Sequence, residues 1–384
     1  MLQPESSKSE RIRVLRIIAR MNVGGPAVQV SGLMRHLDNS KFDQRLLTGF
    51  CDLGEADYLD TAALDISAQR IDGLGRSLSL WNDWKAFTAI RSEIRTFKPH
   101  IIHTHTAKAG VLGRLASLSS GMSSKRVHTF HGHLLNGYFS RPVRRLVILI
   151  ERLLAYSTDV LVSVGVRVRN ELIAVGIGSS NKFRVVPPGL ELNEVPSRIA
   201  ARKLLELSED DFVVSFMGRI TQIKRPDRFL DAIDAAKHDI PELKCLIAGE
   251  GDLYQVTKDR AAELGLPVIF LGWRSDIEVI LAASDVVMLT SDNEGTPLSL
   301  IQAGMIGVPA IATRVGSVEE IVKDLQGGLL VERSSYELAL ALVSLFRDRS
   351  ILQSYGSFAM EWMNENYSVE RLVADHEAIY RSLR

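Results

Sequence analysis

Residues 285–316 read DVVMLTSDNEGTPLSLIQAGMIGVPAIATRVG. The run Asp285–Thr290 is apolar almost without interruption after its first residue, as in a strand covered on both faces. A polar loop, Ser291-Asp292-Asn293-Glu294-Gly295, follows. Thr296 and Pro297 then open a helix, since proline suits a first turn. Ala310–Thr313 reads as the next strand, so the stretch is one strand–helix–strand unit of a parallel sheet. The free amides between Gly295 and Ser299, with the helix dipole, form an anion site. Glu294 stands just before it. A carboxylate there fits a sugar phosphate, whose hydroxyls it can accept hydrogen bonds from; the alternative is a plain charge at a helix start.

The same alternation extends outward in both directions. Further strands in the second half are Phe212–Met217, Leu243–Ala248, Val268–Leu271 and Gly328–Val331, with helices at Ser275–Ala283 and Tyr336–Phe346. In the first half, strands read at Arg13–Arg20, His100–Thr106, Arg126–Phe130, Val160–Val164 and Phe183–Val186. Helices run from the loop Asn22–Pro26 to about Leu37, over Ala109–Ser117, Pro142–Tyr156 and Arg169–Val175. Two doubly wound α/β domains are therefore expected, with ligands at the carboxyl ends of their strands. The expected limits are a loose tail at 1–10, a first domain at 11–190 and a second at 191–365. A terminal helix at 366–384, capped by Ser368, would return to the first domain.

Composition agrees. The 384 residues are 46% hydrophobic and 24% charged, which excludes a disordered chain. The 46 basic and 46 acidic residues cancel, which argues against nucleic acid as a partner. The cancellation is not local. Residues 1–195 hold 26 Lys/Arg against 17 Asp/Glu, a net of +9; residues 196–384 hold 20 against 29, a net of −9. Cys51 and Cys245 form no CxxC pair, and the start, MLQPESSKSE, lacks a signal peptide's apolar core. Both point to the cytoplasm. No apolar run is long enough to span a bilayer.

Other residues carry chemistry. Arg219 leaves a buried strand after Gly218, and Lys224 follows at a helix start; two cations at one strand end neutralise a diphosphate, or else form a solvated basic turn. The Gly249-Glu250-Gly251-Asp252 turn floors a ligand cleft, and Trp273-Arg274 can wall a planar base, or else Trp273 is an ordinary partly buried aromatic. Gly24-Gly25 lets backbone approach a ligand after the first strand. His103, His105, His128, His131 and His133 gather near two strand ends without metal-ligand spacing, so no metal is assigned. On the 141–155 helix, Val143, Leu146, Val147, Ile150, Leu153 and Leu154 share one arc, and Arg141, Arg144, Arg145 and Arg152 take the opposite one, with Ile148 among them and Tyr138-Phe139 before them. A basic face with exposed apolar residues suits an anionic membrane surface; a core helix with a solvated face is the alternative.

Taken in order, Gly24-Gly25, HTHTAKAGVLGR (103–114), TFHGH (129–133), GRITQIKR (218–225), GWRSDI (272–277) and NEGTPLSLIQAG (293–304) resemble the retaining GT-B glycosyltransferases of family GT4, the "glycosyl transferases group 1". The nearest likeness is to members acting on lipid-linked acceptors in bacterial surface polysaccharide assembly. The resemblance implies two Rossmann-like domains facing a central cleft, the first binding acceptor and the second a sugar nucleotide, preferably a UDP-sugar. It implies Arg219 and Lys224 on the donor diphosphate, Glu294 on the sugar hydroxyls, and Gly295, Thr296, Pro297, Leu298 and Ser299 around sugar and phosphate. It further implies His131 facing the donor sugar, Gly24-Gly25 flanking diphosphate or acceptor, Gly218 and Gly249 lining the donor site, and Trp273-Arg274 at the nucleobase. The family's second motif glutamate, on the ribose, is Gln302 here. With no metal-ligand pattern, the basic residues and the helix start stabilise the leaving diphosphate. The implied place is the cytoplasm, peripheral on the inner face of the plasma membrane. The alternatives are a non-catalytic GT-B protein that binds sugar nucleotides and a GT-B sugar-nucleotide epimerase.

Overall fold

The computed structural model describes residues 10–52, 54–75, 77, 79–132 and 141–384. The expected tail at 1–9, His133, Tyr138-Phe139 and the side chain of Arg141 lie outside them.

The described chain runs β1 (Ile12–Ile18), α1 (Gly25–His36), β2 (Phe42–Thr48), α2 (Tyr58–Thr61), β3 (Gln69–Arg70), α3 (Leu80–Phe97), β4 (Ile101–His105), α4 (Ala107–Ser119), β5 (Lys125–Phe130), α5 (Arg141–Tyr156), β6 (Val160–Ser163), α6 (Val166–Ala174) and β7 (Phe183–Val185). It continues with α7 (Arg198–Leu204), β8 (Phe212–Met217), α8 (Pro226–Ala236), β9 (Leu243–Ala248), α9 (Tyr254–Glu263), β10 (Val268–Gly272), α10 (Ile277–Ala283), β11 (Val286–Leu289), α11 (Leu298–Met305), β12 (Ala310–Thr313), α12 (Val318–Ile321), β13 (Gly328–Val331), α13 (Ser335–Arg347), α14 (Arg349–Tyr367) and α15 (Val369–Ser382).

Two compact units result: Met1–Gly189 with Val369–Arg384, and Leu190–Ser368. In the first, an all-parallel sheet has the order β3-β2-β1-β4-β5-β6-β7. Strand β1 shows why both faces are covered. Val14 packs with Leu33, Phe42, Leu372 and Tyr380 under α1 and α15, while Leu15 and Ile17 pack with Ile90, Ile94 and Ala109 under α3 and α4. The last helix, α15, therefore completes the core of the first unit. It starts at Val369; residues 366–368 stay with α14 and the second unit, whose Ser368 bridges Leu190.

The second unit carries a parallel sheet in the order β10-β9-β8-β11-β12-β13. Its inner strands β9, β8, β11 and β12 are buried nearly throughout, edge strand β10 is half-buried, and Phe212, Val214, Phe216, Phe229 and Leu342 form the centre of its larger core. Asp285, at the entry to β11, is buried but paired: Arg198 and Arg202 of α7 reach its two carboxylate oxygens at 2.7 Å and 2.9 Å. A buried carboxylate needs that compensation. Both sheets reverse direction of winding beside their first strand, β1 or β8, the place where α/β sheets bind ligands.

Candidate functional site

In the second unit the carboxyl edge of β8 and β11 is laced together by the two loops that leave it. The amide of Asp292 donates to the carbonyl of Ile223 (2.9 Å), and Thr290 Oγ1 lies 2.9 Å from the carbonyl oxygen of Lys224. Arg225, in a left-handed conformation at the start of α8, is held by Asp227 and Asp292, and Arg228 donates to the Thr290 carbonyl and to Asp292. This frame presents Lys224 to Glu294. The Lys224 Nζ lies 2.6 Å from Glu294 Oε1, which also accepts from the Ser291 hydroxyl at 2.5 Å. Glu294 is buried. Its backbone is fixed as well: Ser317 N donates to its carbonyl (3.3 Å), and a Cβ on Gly316, at φ +55°, would come within 1.8 Å of that oxygen.

Arg219 is placed differently. It is exposed at the end of β8 and has no hydrogen-bond or ionic partner among the described residues. Three cations beside it, Lys224, Arg225 and Arg228, are already paired. An unpaired guanidinium at this edge is available to an anion. A Cβ on Gly218, at φ +140°, would touch the Lys224 side chain at 3.7 Å, and Gly249, at φ +136°, admits no side chain because a Cβ would meet the Gly218 carbonyl oxygen at 2.0 Å. Gly249 N donates to the Gly272 carbonyl (2.7 Å), which carries the edge on to Trp273 and Arg274. Trp273 is 52% exposed, whereas Arg274 is engaged by Asp276.

The helix after Glu294 starts later than its sequence suggests. Leu298 is its first residue, and Pro297 occupies the cap position. Thr296, Ser299 and Gln302 are half-buried, and their side chains have no protein partner among the described residues. Ser299 and Gln302 stand one turn apart on the same face. Polar groups so placed are ready to bind hydroxyls.

In the first unit, Gly24 caps α1 at φ +156° with open space around it, and Gly25 is the first helical residue. The histidines separate by strand parity. His128 faces α4 and shares a hydrogen bond with Thr104 (2.8 Å), while His103, His105 and His131 face α1 and α15. The His105 Nδ1 and His131 Nε2 lie 2.9 Å apart, and burial holds His131 down to about 3, so its ring is neutral at neutral pH. Among the described residues no three His, Cys, Asp or Glu side chains converge as metal ligands.

Helix α5 differs from its expected orientation. Its buried arc is centred on Glu151, which receives two 2.8 Å hydrogen bonds from Arg114 Nη2 of α4. Leu154 and Ala155 are buried beside it, and Val147, Ile150 and Arg144 are half-buried. Val143, Leu146, Leu149, Leu153 and Tyr156 are exposed, with Arg145 and Arg152 on the same side. Arginines and exposed leucines thus share one face instead of taking opposite ones. The buried ion pair sets this rotation: the acid must meet Arg114, which turns the leucine row outward. Among the described residues no helix is long and apolar enough to cross a membrane.

Residues 197–362 match the family described as glycosyl transferases group 1, and residues 24–189 the glycosyl transferase 4-like domain. An Escherichia coli UDP-Gal:α-D-GlcNAc-diphosphoundecaprenol α-1,3-galactosyltransferase is 30% identical over 82% of each chain. The chain belongs to the GT4 glycosyltransferases. A D-inositol 3-phosphate glycosyltransferase from Geodermatophilus obscurus is 29% identical over 82% of this chain and 74% of its own length. Among solved structures, Anabaena HepE in complex with UDP superposes with a TM-score of 0.80 at 19% identity, covering 97% of this chain and 100% of its own. Sucrose-phosphate synthase from Thermosynechococcus elongatus does so with 0.80 at 20%, covering 97% of this chain and 99% of its own. The chain therefore has the GT-B fold, with one α/β domain in each unit. Sequence reasoning located the loops of this glycosyltransferase but missed the Asp227–Arg225–Asp292–Arg228 lattice and the His105–His131 pair; the alternation of HTH in β4 was the available signal for the latter.

Proposed function

We propose that the protein transfers a sugar from a UDP-sugar to a lipid-linked glycan acceptor in cell-surface polysaccharide synthesis, with retention at the anomeric carbon and without a metal cofactor. The observation that carries this reading is the Lys224–Glu294 pair standing beside the unpaired Arg219 at one sheet edge. Arg219 and Lys224 neutralise the diphosphate, and Glu294 accepts from the sugar hydroxyls as Lys224 turns to the phosphate. Gly218, Gly249, Trp273 and Arg274 line the nucleotide side; Gly295, Thr296, Pro297, Leu298, Ser299 and Gln302 line the sugar side. In the first unit, the family resemblance assigns His131 to the donor sugar and Gly24-Gly25 to the diphosphate or acceptor. In the transfer step the bond from the anomeric carbon to the diphosphate oxygen breaks. The acceptor oxygen bonds to the same face, and its proton passes to the departing phosphate. The E. coli relative's diphosphoundecaprenol substrate supports a lipid-linked acceptor, and HepE's complex with UDP supports the nucleotide.

The exposed row of α5 with Arg145 and Arg152 would rest on an anionic bilayer at the inner face of the plasma membrane, holding an otherwise cytoplasmic enzyme near its acceptor. Gln302, an amide where the family carries a carboxylate, favours one second reading: sugar-nucleotide binding without transfer. The test is calorimetric titration with UDP- and GDP-sugars, followed by transfer of radiolabelled sugar to polyprenyl-diphosphate glycans with and without EDTA. Transfer that survives EDTA and is lost in Arg219→Ala supports the proposal. Binding without transfer to any acceptor gives the second reading.

A further inference from the structure

Beneath His131 the first unit contains a ladder of buried polar side chains whose protons can be placed one by one. Arg16, His103, His105 and Tyr380 are fully buried on the α1/α15 face of the sheet. Arg16 Nη2 lies 3.1 Å from the Tyr380 oxygen, and a guanidinium only donates. The phenol oxygen therefore accepts there, and its own proton goes to His103 Nδ1, 2.6 Å away. Burial raises the Tyr380 pKa, so that proton stays in place. His103 consequently carries its proton on Nε2 and donates it to Thr129 Oγ1 at 2.7 Å. Held at both nitrogens, the His103 ring packs 4.1 Å from the ring of His105 and keeps it from turning.

The next rung is the pair His105 Nδ1 and His131 Nε2, 2.9 Å apart. Both rings are neutral, because burial disfavours their charged forms. Two neutral imidazoles share one proton in this contact, so one ring donates and the other accepts. The remaining nitrogen of His105, Nε2, is buried without a partner among the described residues, and this decides between the two arrangements. If His131 donated, His105 would bear an N–H at Nε2 with no acceptor, a costly orphan. If His105 donates from Nδ1, Nε2 is a bare lone pair, which a buried setting tolerates better than an N–H without an acceptor.

We infer that His105 is the positioning residue of His131: by donating from Nδ1 it fixes His131 as the tautomer protonated on Nδ1, so that His131 offers an N–H donor at Nδ1 and no base. This rests on the reading of His131 as a site residue. It deepens that reading by assigning what the ring can do. A neutral N–H donor binds a hydroxyl or phosphate oxygen of the substrate and cannot remove the acceptor's proton, which leaves that task to the departing phosphate.

The test uses the full chain labelled with 15N at histidine. Two-bond proton–nitrogen spectra at neutral pH identify the tautomer of each ring, and the His131→Gln variant assigns the His131 signals. The expected result is His131 protonated on Nδ1 in the wild type, and moved toward the Nε2-protonated form in His105→Leu, with kcat lowered and donor KM little changed. His105→Asn places an amide donor where Nδ1 stood and restores both the tautomer and turnover. An Nε2-protonated His131 in the wild type overturns the inference, and so does an unchanged tautomer in His105→Leu. If His105→Leu does not fold, the wild-type spectrum and His105→Asn still decide it. A shifted tautomer with wild-type turnover supports the pairing and instead removes His131 from the site, which separates the two failures.

Discussion

Lys224 and Glu294, from the loops that leave two adjacent strands, form an ion pair with Nζ 2.6 Å from Oε1. The contact joins the residue assigned to the diphosphate with the one assigned to the sugar. Glu294→Gln keeps an oxygen for both Lys224 and Ser291, so the unfolding midpoint should stay near wild type. Lys224→Met leaves a buried carboxylate with only the Ser291 hydroxyl and should destabilise by about 1–3 kcal/mol. Both should lower kcat/KM by about 100-fold or more, because each removes a group aimed at developing charge or a ring hydroxyl. Urea unfolding with initial-rate kinetics checks the pattern; wild-type turnover in either variant would remove the pair from the site.

Acid should unfold the first unit early. Burial depresses the pKa of His103, His105 and His128 well below the ordinary value, and holds His131 and His376 at about 3. In the unfolded chain all five titrate near about 6.5. The stability tied to these neutral rings is therefore complete above that pH and is lost progressively as pH falls below it, as the unfolded chain takes up protons that the folded one refuses. Each ring contributes up to about 1.4 kcal/mol per pH unit below about 6.5. The expected outcome is a melting temperature that drops steadily from pH 7 to pH 5, with a shallower slope in His376→Gln. A flat profile over that window would mean the buried rings gain protons without unfolding.

The outward face of α5 gives the third expectation. Leu146 and Leu153 are 56% and 67% exposed, so Asp at either position should leave folding within about 0.5 kcal/mol of wild type. Co-flotation with anionic vesicles should fall sharply in Leu146→Asp/Leu153→Asp and in Arg145→Glu, and should fall for wild type as salt is raised. Undiminished flotation of the double variant would detach this helix from the membrane proposal.

The sequence announces whatever is continuous along the chain. The strands Phe212–Met217, Leu243–Ala248, Ala310–Thr313 and Gly328–Val331 have the limits their apolar runs predict, because doubly buried parallel strands need no alternation. Strand β2 was not legible: its first half is polar, with Asp43, Gln44 and Arg45 only partly buried or exposed. Two-residue β3 has no period to read. Of the site, the Glu294 loop and the Gly218-Arg219 turn were legible as loops at strand ends. Which side chains pair within them was not, since Lys224 and Glu294 are 70 residues apart. The α5 orientation failed for the same reason. Its arcs suggest a leucine face turned inward, but the partner that decides the matter, Arg114, stands 37 residues away on another helix.

Helix α15 supplies Tyr380 and Leu372 to the core of a unit whose other residues precede Leu190. During synthesis, the first sheet emerges long before the segment that seals one of its faces, while the second unit emerges whole. The domain born first is thus finished after the second, and its imidazole ladder assembles only once α15 is free of the ribosome. A prematurely ended chain would carry an intact second unit beside an unsealed first one, with Phe42 and Leu33 uncovered for quality-control factors to recognise.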